Sequence, residues 1–87
     1  MIIYFEDGDR YMDLDEFAYV ASTYDSDRDA MEDKFSVIAT FKRYDKVIEI
    51  YTGTSRVCDR LVKEIVNAYE RGEKVLRVDP RRWEKDV

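Results

Sequence analysis

The first half of the chain alternates apolar and polar residues over short segments, a pattern that predicts β-strands. Residues 2–5 form an apolar run that stops at Asp7 and Gly8, a dipeptide typical of a tight hairpin turn, and residues 10–14 resume the alternation. We therefore expect a β-hairpin at the start of the chain. Residues 17–24 combine aromatic, β-branched and small side chains and predict another strand.

The clearest hairpin pattern spans residues 35–52. Its first strand has one apolar face, formed by Phe35, Val37, Ala39 and Phe41. In its second strand Ile48 and Ile50 alternate with charged or aromatic residues. This alternation predicts an antiparallel pair with one buried face and one solvated face.

A helical pattern follows over residues 55–71. Its apolar side chains recur every three or four residues, at Cys58, Leu61, Val62, Ile65, Ala68 and Tyr69. Thr54 or Ser55 is expected to cap the start of the helix, and Gly72 stands where a helix-ending glycine belongs. Since Cys58 falls on the apolar stripe and no histidine can activate it, we expect a buried, unreactive thiol.

The end of the chain adds one more predicted strand. Residues 73–78 favour a short strand, and residues 79–87 are expected to be a C-terminal tail. Strands grouped before a single helix indicate an α+β fold, in which a mostly antiparallel sheet of four to five strands carries the amphipathic helix on one face. We expect residues 1–87 to be a single domain, with the other sheet face open to a partner or a second copy.

Composition excludes several classes of function. The 87 residues contain no histidine and one cysteine, which rules out an intrachain disulfide, a Cys/His zinc site and histidine-based catalysis. Without a recognisable nucleophile, we expect no enzymatic activity, no catalytic or metal-ligating residue and no cofactor. The chain begins without a secretion-signal pattern and has no apolar run of the roughly 20 residues that a membrane span needs. The expectation is a cytoplasmic protein that does not associate with membranes.

Charge is divided unevenly along the chain. Residues 1–33 carry 11 acidic and two basic side chains, a net charge of −9, whereas residues 34–87 carry nine acidic and 13 basic ones, a net charge of +4. One interpretation is plain solubility; the sharper one is an acidic face that binds a basic protein surface. Direct binding of duplex DNA is not expected, since that requires a basic face. The predicted partner-binding carboxylates are those of Asp7, Asp9, Asp13, Asp15, Glu16, Asp25, Asp27, Asp29 and Asp33.

Residues 25–33 resemble the first half of a calcium-binding EF-hand loop, with aspartates at loop positions 1, 3, 5 and 9. The position that needs glycine holds Ala30, and the position that needs a bidentate glutamate holds Ser36. An acidic, solvated loop is therefore the preferred interpretation, and no metal is predicted.

A second hypothesis is that the chain binds a small anionic ligand. Residues 53–56 open the predicted helix, and the free N–H groups of a helix N-terminus attract anions, an effect that Arg56 would strengthen. A homo-oligomer that sequesters a nucleotide would also need cations and aromatic rings for stacking. The residues predicted for this role are Arg43, Tyr44, Arg56, Arg81, Arg82 and Trp83. The seven tyrosines favour self-association, because tyrosine is enriched in interface cores.

The order of these pieces resembles a group of short, mostly uncharacterised strand-strand-strand-strand-helix proteins of Gram-positive bacteria and their phages. The matching pieces are residues 2–5, Asp7-Gly8, Met12-Asp13-Leu14-Asp15, residues 35–52 and the helix that leads to Gly72-Glu73-Lys74. The acidic segment 25–33 and the Arg-Arg-Trp segment depart from the group. The resemblance implies no catalytic residues. It implies a phage or mobile-element origin, and with it the blocking of a host defence protein, as anti-CRISPR proteins do, or the sequestration of a nucleotide signal.

The leading hypothesis is therefore a non-enzymatic binding protein that inhibits a host protein through an acidic face. An oligomeric sponge for a nucleotide signal is the first alternative. A plain structural role or a toxin–antitoxin interaction module is the second.

Overall fold

The computed structural model of the chain describes residues 1–8, 10–24, 35–43 and 46–85. The elements before the predicted acidic loop are β1 (Ile2–Phe5), β2 (Arg10–Asp13), a 3₁₀ turn (Leu14–Glu16) and β3 (Phe17–Tyr24). The elements after it are β4 (Phe35–Phe41), β5 (Val47–Gly53), α1 (Ser55–Glu70), β6 (Val75–Val78) and α2 (Pro80–Lys85). The predicted loop itself, residues 25–33, lies outside the described residues.

The described strands form two three-stranded sheets. In the first sheet, of order β2-β1-β6, β1 pairs antiparallel with β2 and parallel with β6; in the second, β3, β4 and β5 are antiparallel throughout. The predicted fold class, α+β with mostly antiparallel strands, is confirmed. The strands divide between two sheets instead of forming one, because the 3₁₀ turn redirects the chain after β2. The crossover through α1 then allows β6 to lie parallel to β1.

Both ends of α1 are determined by local sequence. The Thr54 side chain accepts a hydrogen bond from the backbone N–H of Val57, as an N-cap does. At the other end Gly72 adopts a positive φ of 69°, and the N–H of Glu73 bonds the carbonyl of Ala68 at 3.0 Å. This is the Schellman arrangement, in which a glycine turns the chain out of the helix.

The core lies where α1 packs against strands of both sheets. The helix contributes buried side chains from Val57, Cys58, Leu61, Ile65 and Ala68. The first sheet contributes Ile3, Phe5, Leu76 and Val78, and the second contributes Val37, Ala39, Ile50 and Tyr51. Tyr69, which the sequence pattern assigns to the buried stripe, is instead 74% exposed, because it lies on the flank of that stripe.

The expected tail is corrected by the structure, because residues 80–85 of the segment 79–87 form helix α2. Pro80 is buried at its first position, where the fixed φ of proline suits a helix and no N–H is needed. The Asp79 side chain accepts a hydrogen bond from the N–H of Arg82 at 3.3 Å and caps the helix. Proline after aspartate thus starts a helix here.

Leu61→Ala should lower the free energy of unfolding by about 2–5 kcal/mol, because removal of this fully buried side chain leaves a cavity. Val66→Ala on the same helix should change it by at most about 0.5 kcal/mol, since Val66 is partly exposed. Urea unfolding followed by far-UV circular dichroism measures both values. Equal losses would contradict the assignment of Leu61 to the core.

Candidate functional site

The predicted acidic face is divided between two ends of the β1–β2 hairpin. Asp7 lies in the hairpin turn, whereas Asp13 pairs with Ile2 at the opposite end, beside Asp15 and Glu16 of the 3₁₀ turn. The three side chains at the 3₁₀ turn, Asp13, Asp15 and Glu16, form what we call the acidic corner. The other predicted partner-binding residues, Asp9, Asp25, Asp27, Asp29 and Asp33, lie outside the described residues.

The carboxylates of the acidic corner are exposed. Asp13 accepts a hydrogen bond from the N–H of Asp15 at 3.0 Å and caps the 3₁₀ turn, yet its side chain is 52% exposed. The Asp15 carboxylate, 70% exposed, lies 2.7 Å from the terminal ammonium of Met1, whose hydrogen bond and charge lower the pKa of Asp15. The exposed Glu16 accepts a backbone hydrogen bond from Lys42 at 3.1 Å through its carbonyl. Most of the negative charge at this corner therefore faces solvent.

An apolar groove of about 350 Å³ adjoins the acidic corner. Its walls come from α1 and β3, and the 3₁₀ turn closes one end. The apolar side chains that line it include Leu14, Ala18, Val20, Ile65, Val66 and Tyr69. Val66 is 48% exposed, and the more exposed Tyr69 stands at the rim of the groove. The groove is open apolar surface with carboxylates beside it.

A separate polar cleft of about 400 Å³ lies at the other end of the hairpin, between β5 and α2. Its charged and phenolic side chains are Asp7, Arg10, Glu49, Tyr51, Arg81 and Glu84. Tyr51 reaches this cleft through a β-bulge. Val37 pairs with Tyr51 but Ile38 pairs with Glu49, so one extra residue, Ile50, interrupts the alternation of β5.

Glu84 of α2 sits against the N-terminus of α1. Its Oε1 accepts hydrogen bonds from the Tyr51 hydroxyl and from the backbone N–H of Thr54, each at 2.9 Å. Its Oε2 accepts the Thr54 hydroxyl at 2.9 Å. The anion expected at this helix end is thus supplied by the chain itself, and Gly53 leaves the space for it.

The other charged groups of the cleft are also engaged. Arg81 Nε lies 3.1 Å from Asp7 Oδ2, and the Asp7 side chain is only 17% exposed. Arg10 donates to the carbonyl of Ile50 at 3.1 Å and stacks on the ring of Phe5. Most charged side chains of this cleft therefore already have partners within the folded chain.

The residues predicted to bind an anionic ligand are only partly brought together. Arg56 donates to the Trp83 carbonyl at 2.7 Å, and the Trp83 ring is covered by Arg60, whose guanidinium carbon lies 4.1 Å from the ring centroid. Arg82 is exposed on α2. Arg43 follows β4 and lies near the start of β5. Helix α2, which carries the predicted Arg81, Arg82 and Trp83, packs instead near the end of β5. Tyr44 lies outside the described residues.

Burial is the main cause of the raised pKa values of Tyr51 and Cys58, which lie near the start of α1. Burial, followed by the hydrogen bond to Glu84, raises the pKa of Tyr51. Burial raises the pKa of Cys58 to about 11, and its thiol donates to the carbonyl of Phe35 at 3.4 Å. Cys58 is therefore a buried neutral thiol at physiological pH.

Sequence reasoning missed Tyr51 and Glu84 in the cleft and Val66 in the groove. The bulge that aims Tyr51 depends on pairing with β4, and no local pattern places Glu84 beside Thr54, 30 residues earlier. Val66 could have been found, since it follows Val62 by four residues and precedes Tyr69 by three, the spacing of one helix face.

No protein-family model, curated protein or solved structure matches this chain. Among the described residues, none of the helices combines the length and apolar character needed to cross a membrane. The same part of the chain contains no group of three or more His, Cys, Asp or Glu side chains placed to hold a metal ion. The acidic corner, the groove and the cleft are the candidate sites for function.

Gly53→Ala should lower the free energy of unfolding by about 1–3 kcal/mol, because the added methyl group would collide with the Glu84 carboxylate and meet the Tyr51 ring at 2.7 Å. Gly8→Ala is the matched control, since its new methyl group would lie 3.8 Å from its nearest neighbour, the flexible Arg10 side chain. Urea unfolding measures both. If Gly53→Ala were as harmless as the control, the close packing of Glu84 would be wrong.

Stability should fall at alkaline pH. The raised pKa values keep Cys58 and Tyr51 protonated in the native state, so only the unfolded state loses these protons at first. The stabilisation that comes from keeping these protons is therefore fully present below pH 9. The Cys58 part declines as the pH rises from 9.0, the ordinary thiol pKa, towards about 11, its pKa in the native state. The Tyr51 contribution to this decline begins above about pH 10, the ordinary value for tyrosine.

Tyr51→Phe tests this assignment, with Tyr11→Phe, at an exposed tyrosine, as its control. Tyr51→Phe should flatten the decline of the urea midpoint above about pH 10. Tyr11→Phe should leave it unchanged. Parallel declines in both variants would refute the role of Tyr51.

Proposed function

We propose that this chain is a non-enzymatic binding protein that docks onto a basic protein surface through its acidic corner. The observation that carries the proposal is the juxtaposition of exposed Asp13 and Asp15 carboxylates with an open apolar groove. Protein interfaces combine an apolar centre with a polar, solvated rim in this way. The corner would supply the charged rim and the groove the apolar centre.

The acidic corner suits this role better than the polar cleft. The Asp13 and Asp15 side chains are 52% and 70% exposed even with the Met1 ammonium 3.9 Å and 2.7 Å away, so a partner's guanidinium or ammonium group can reach them. In the cleft, Asp7 is covered by Arg81, and Glu84 is bonded to Tyr51 and Thr54. A partner there would have to break bonds that stabilise the fold.

The identity of the target class rests on two further observations. The net charge of −9 over residues 1–33 supports a basic target, and it would accelerate association through long-range attraction. The resemblance of the chain's pattern to short proteins of Gram-positive bacteria and their phages favours a host defence protein as the target, whose surface the chain would occupy and block. Nothing in this mode of action requires a catalytic residue or a cofactor.

A nucleotide sponge has weaker support. Arg56 and Trp83, on which it relies, already contact each other or Arg60. The N-terminus of α1 already holds the Glu84 carboxylate. A nucleotide would have to displace both arrangements, so we favour the acidic corner.

Neutralising the corner should weaken binding of a basic probe. The probe is a fluorescently labelled peptide of alternating arginine and serine, and the variant is Asp13→Asn/Asp15→Asn/Glu16→Gln. Loss of three exposed charge contacts should weaken binding about tenfold at low salt. Fluorescence anisotropy over a salt series should also show a shallower salt dependence for this variant.

The matched control is Glu6→Gln/Asp59→Asn/Glu64→Gln, which removes the same net charge from other parts of the chain. At about 0.1 M salt it should reduce the affinity by at most about twofold, because attraction over more than about 10 Å is then largely screened. If both variants lose affinity equally, overall charge and not the corner governs binding, and the proposal fails.

A further inference from the structure

Strand β3 forms one edge of the second sheet. Among the described residues its only paired neighbour is β4, so its other side presents backbone N–H and C=O groups in the edge direction. The strand runs for eight residues, Phe17–Tyr24, without a charged residue or a proline. Edge strands of this kind are usually interrupted by such residues, because they otherwise template the pairing of another strand.

The apolar groove runs along this same edge. Ala18 and Val20 of β3 line it on one side and Ile65, Val66 and Tyr69 of α1 on the other, with no contribution from β4 or β5. The helix that covers the second sheet therefore also provides an apolar wall beyond β3. A fourth strand placed beside β3 would lie under that wall.

The position of Val20 identifies the sheet face involved. Val20 pairs with the fully buried Ala39, so it faces α1 and the groove. Side chains of a strand alternate between the two faces of a sheet. An added strand would send every second side chain into the groove and the remaining ones to the opposite face.

We propose that β3 accepts an extended segment of the partner protein as a fourth strand of the second sheet. This inference rests on the proposed function and specifies how the acidic corner engages its target. Main-chain hydrogen bonds to β3 would supply affinity, and the groove would select apolar residues at alternate positions.

Charge determines which segment fits. Asp13, Asp15 and Glu16 stand at the end of the groove where β3 begins. A complementary segment therefore has an apolar, β-branched centre with lysine or arginine at the end beside the acidic corner, and basic residues at both ends of a test peptide allow either strand direction. Strand β3 itself contains no lysine or arginine, so β3 of a second copy could not supply this cation.

The test uses a synthetic peptide, Lys-Arg-Val-Thr-Val-Thr-Val-Arg-Lys, and a twin in which alternate backbone nitrogens are methylated along the pairing edge. Both have the same charge, but the twin cannot donate the main-chain hydrogen bonds. Titration into the ¹⁵N-labelled protein is followed by nuclear magnetic resonance. We expect the unmodified peptide to bind at least about tenfold more tightly and to slow amide exchange along β3.

A pair of protein variants tests the groove. Val66→Asn, in the groove wall, should weaken binding of the unmodified peptide about fivefold or more by placing an amide where apolar side chains dock. Val47→Asn, at an exposed position of β5, should leave binding unchanged. Equal effects of the two variants would overturn the role of the groove.

Three outcomes would overturn strand addition. Equal binding of both peptides, lost in the corner-neutralised variant, would leave the acidic corner as the binding site without an added strand. No binding of either peptide at millimolar concentration would reject the occupant, and the arginine–serine probe would then decide the proposed function separately. Self-association that protects β3 amides without any peptide would identify a second copy as the occupant instead.

Discussion

The packing of α1 against both sheets is the interaction on which the rest of the structure depends. Its buried face includes Val57 and Leu61, which have no exposed surface, and it contacts every strand of the second sheet as well as β6 of the first. A chain of 87 residues buries only part of its surface, so one helix face supplies much of its core. The same helix carries the chain across to β6 and allows its parallel pairing with β1.

The start of α1 also organises the C-terminal segment. A helix N-terminus leaves N–H groups unpaired, and Glu84 of α2 fills this need at Thr54 while accepting a bond from Tyr51. Arg56 and Arg60 then hold Trp83 from the same side of α1. Of the residues predicted for a ligand site, Arg56 and Trp83 therefore make stabilising contacts between α1 and α2.

The apolar groove between α1 and β3 leaves more of its lining side chains exposed. The apolar face of α1 extends past the buried stripe to Val66 and Tyr69, and β3 leaves one edge unpaired among the described residues. Exposed carboxylates of the 3₁₀ turn stand at the end of this groove. Apolar surface, a strand edge and a charged rim at one place are the physical components of a protein-binding site.

Local sequence by itself determined the features that depend on nearest neighbours along the chain. The Thr54 cap and the Gly72 helix end follow from short-range preferences of side chain and backbone, and hydrophobic periodicity indicated the α+β class. Periodicity reports which face of an element is apolar, and the buried stripe from Cys58 to Ala68 follows from it.

Only the tertiary structure decided which faces meet. The bulge at Ile50 depends on pairing with β4, and the contact between Thr54 and Glu84 joins residues 30 positions apart. The hairpin separates Asp7 from Asp13, although both belong to one acidic segment of the sequence. Charge patterning counts carboxylates, but their accessibility depends on their neighbours in space. The Asp7 side chain is covered because Arg81 pairs with it, whereas the Asp13 side chain remains 52% exposed.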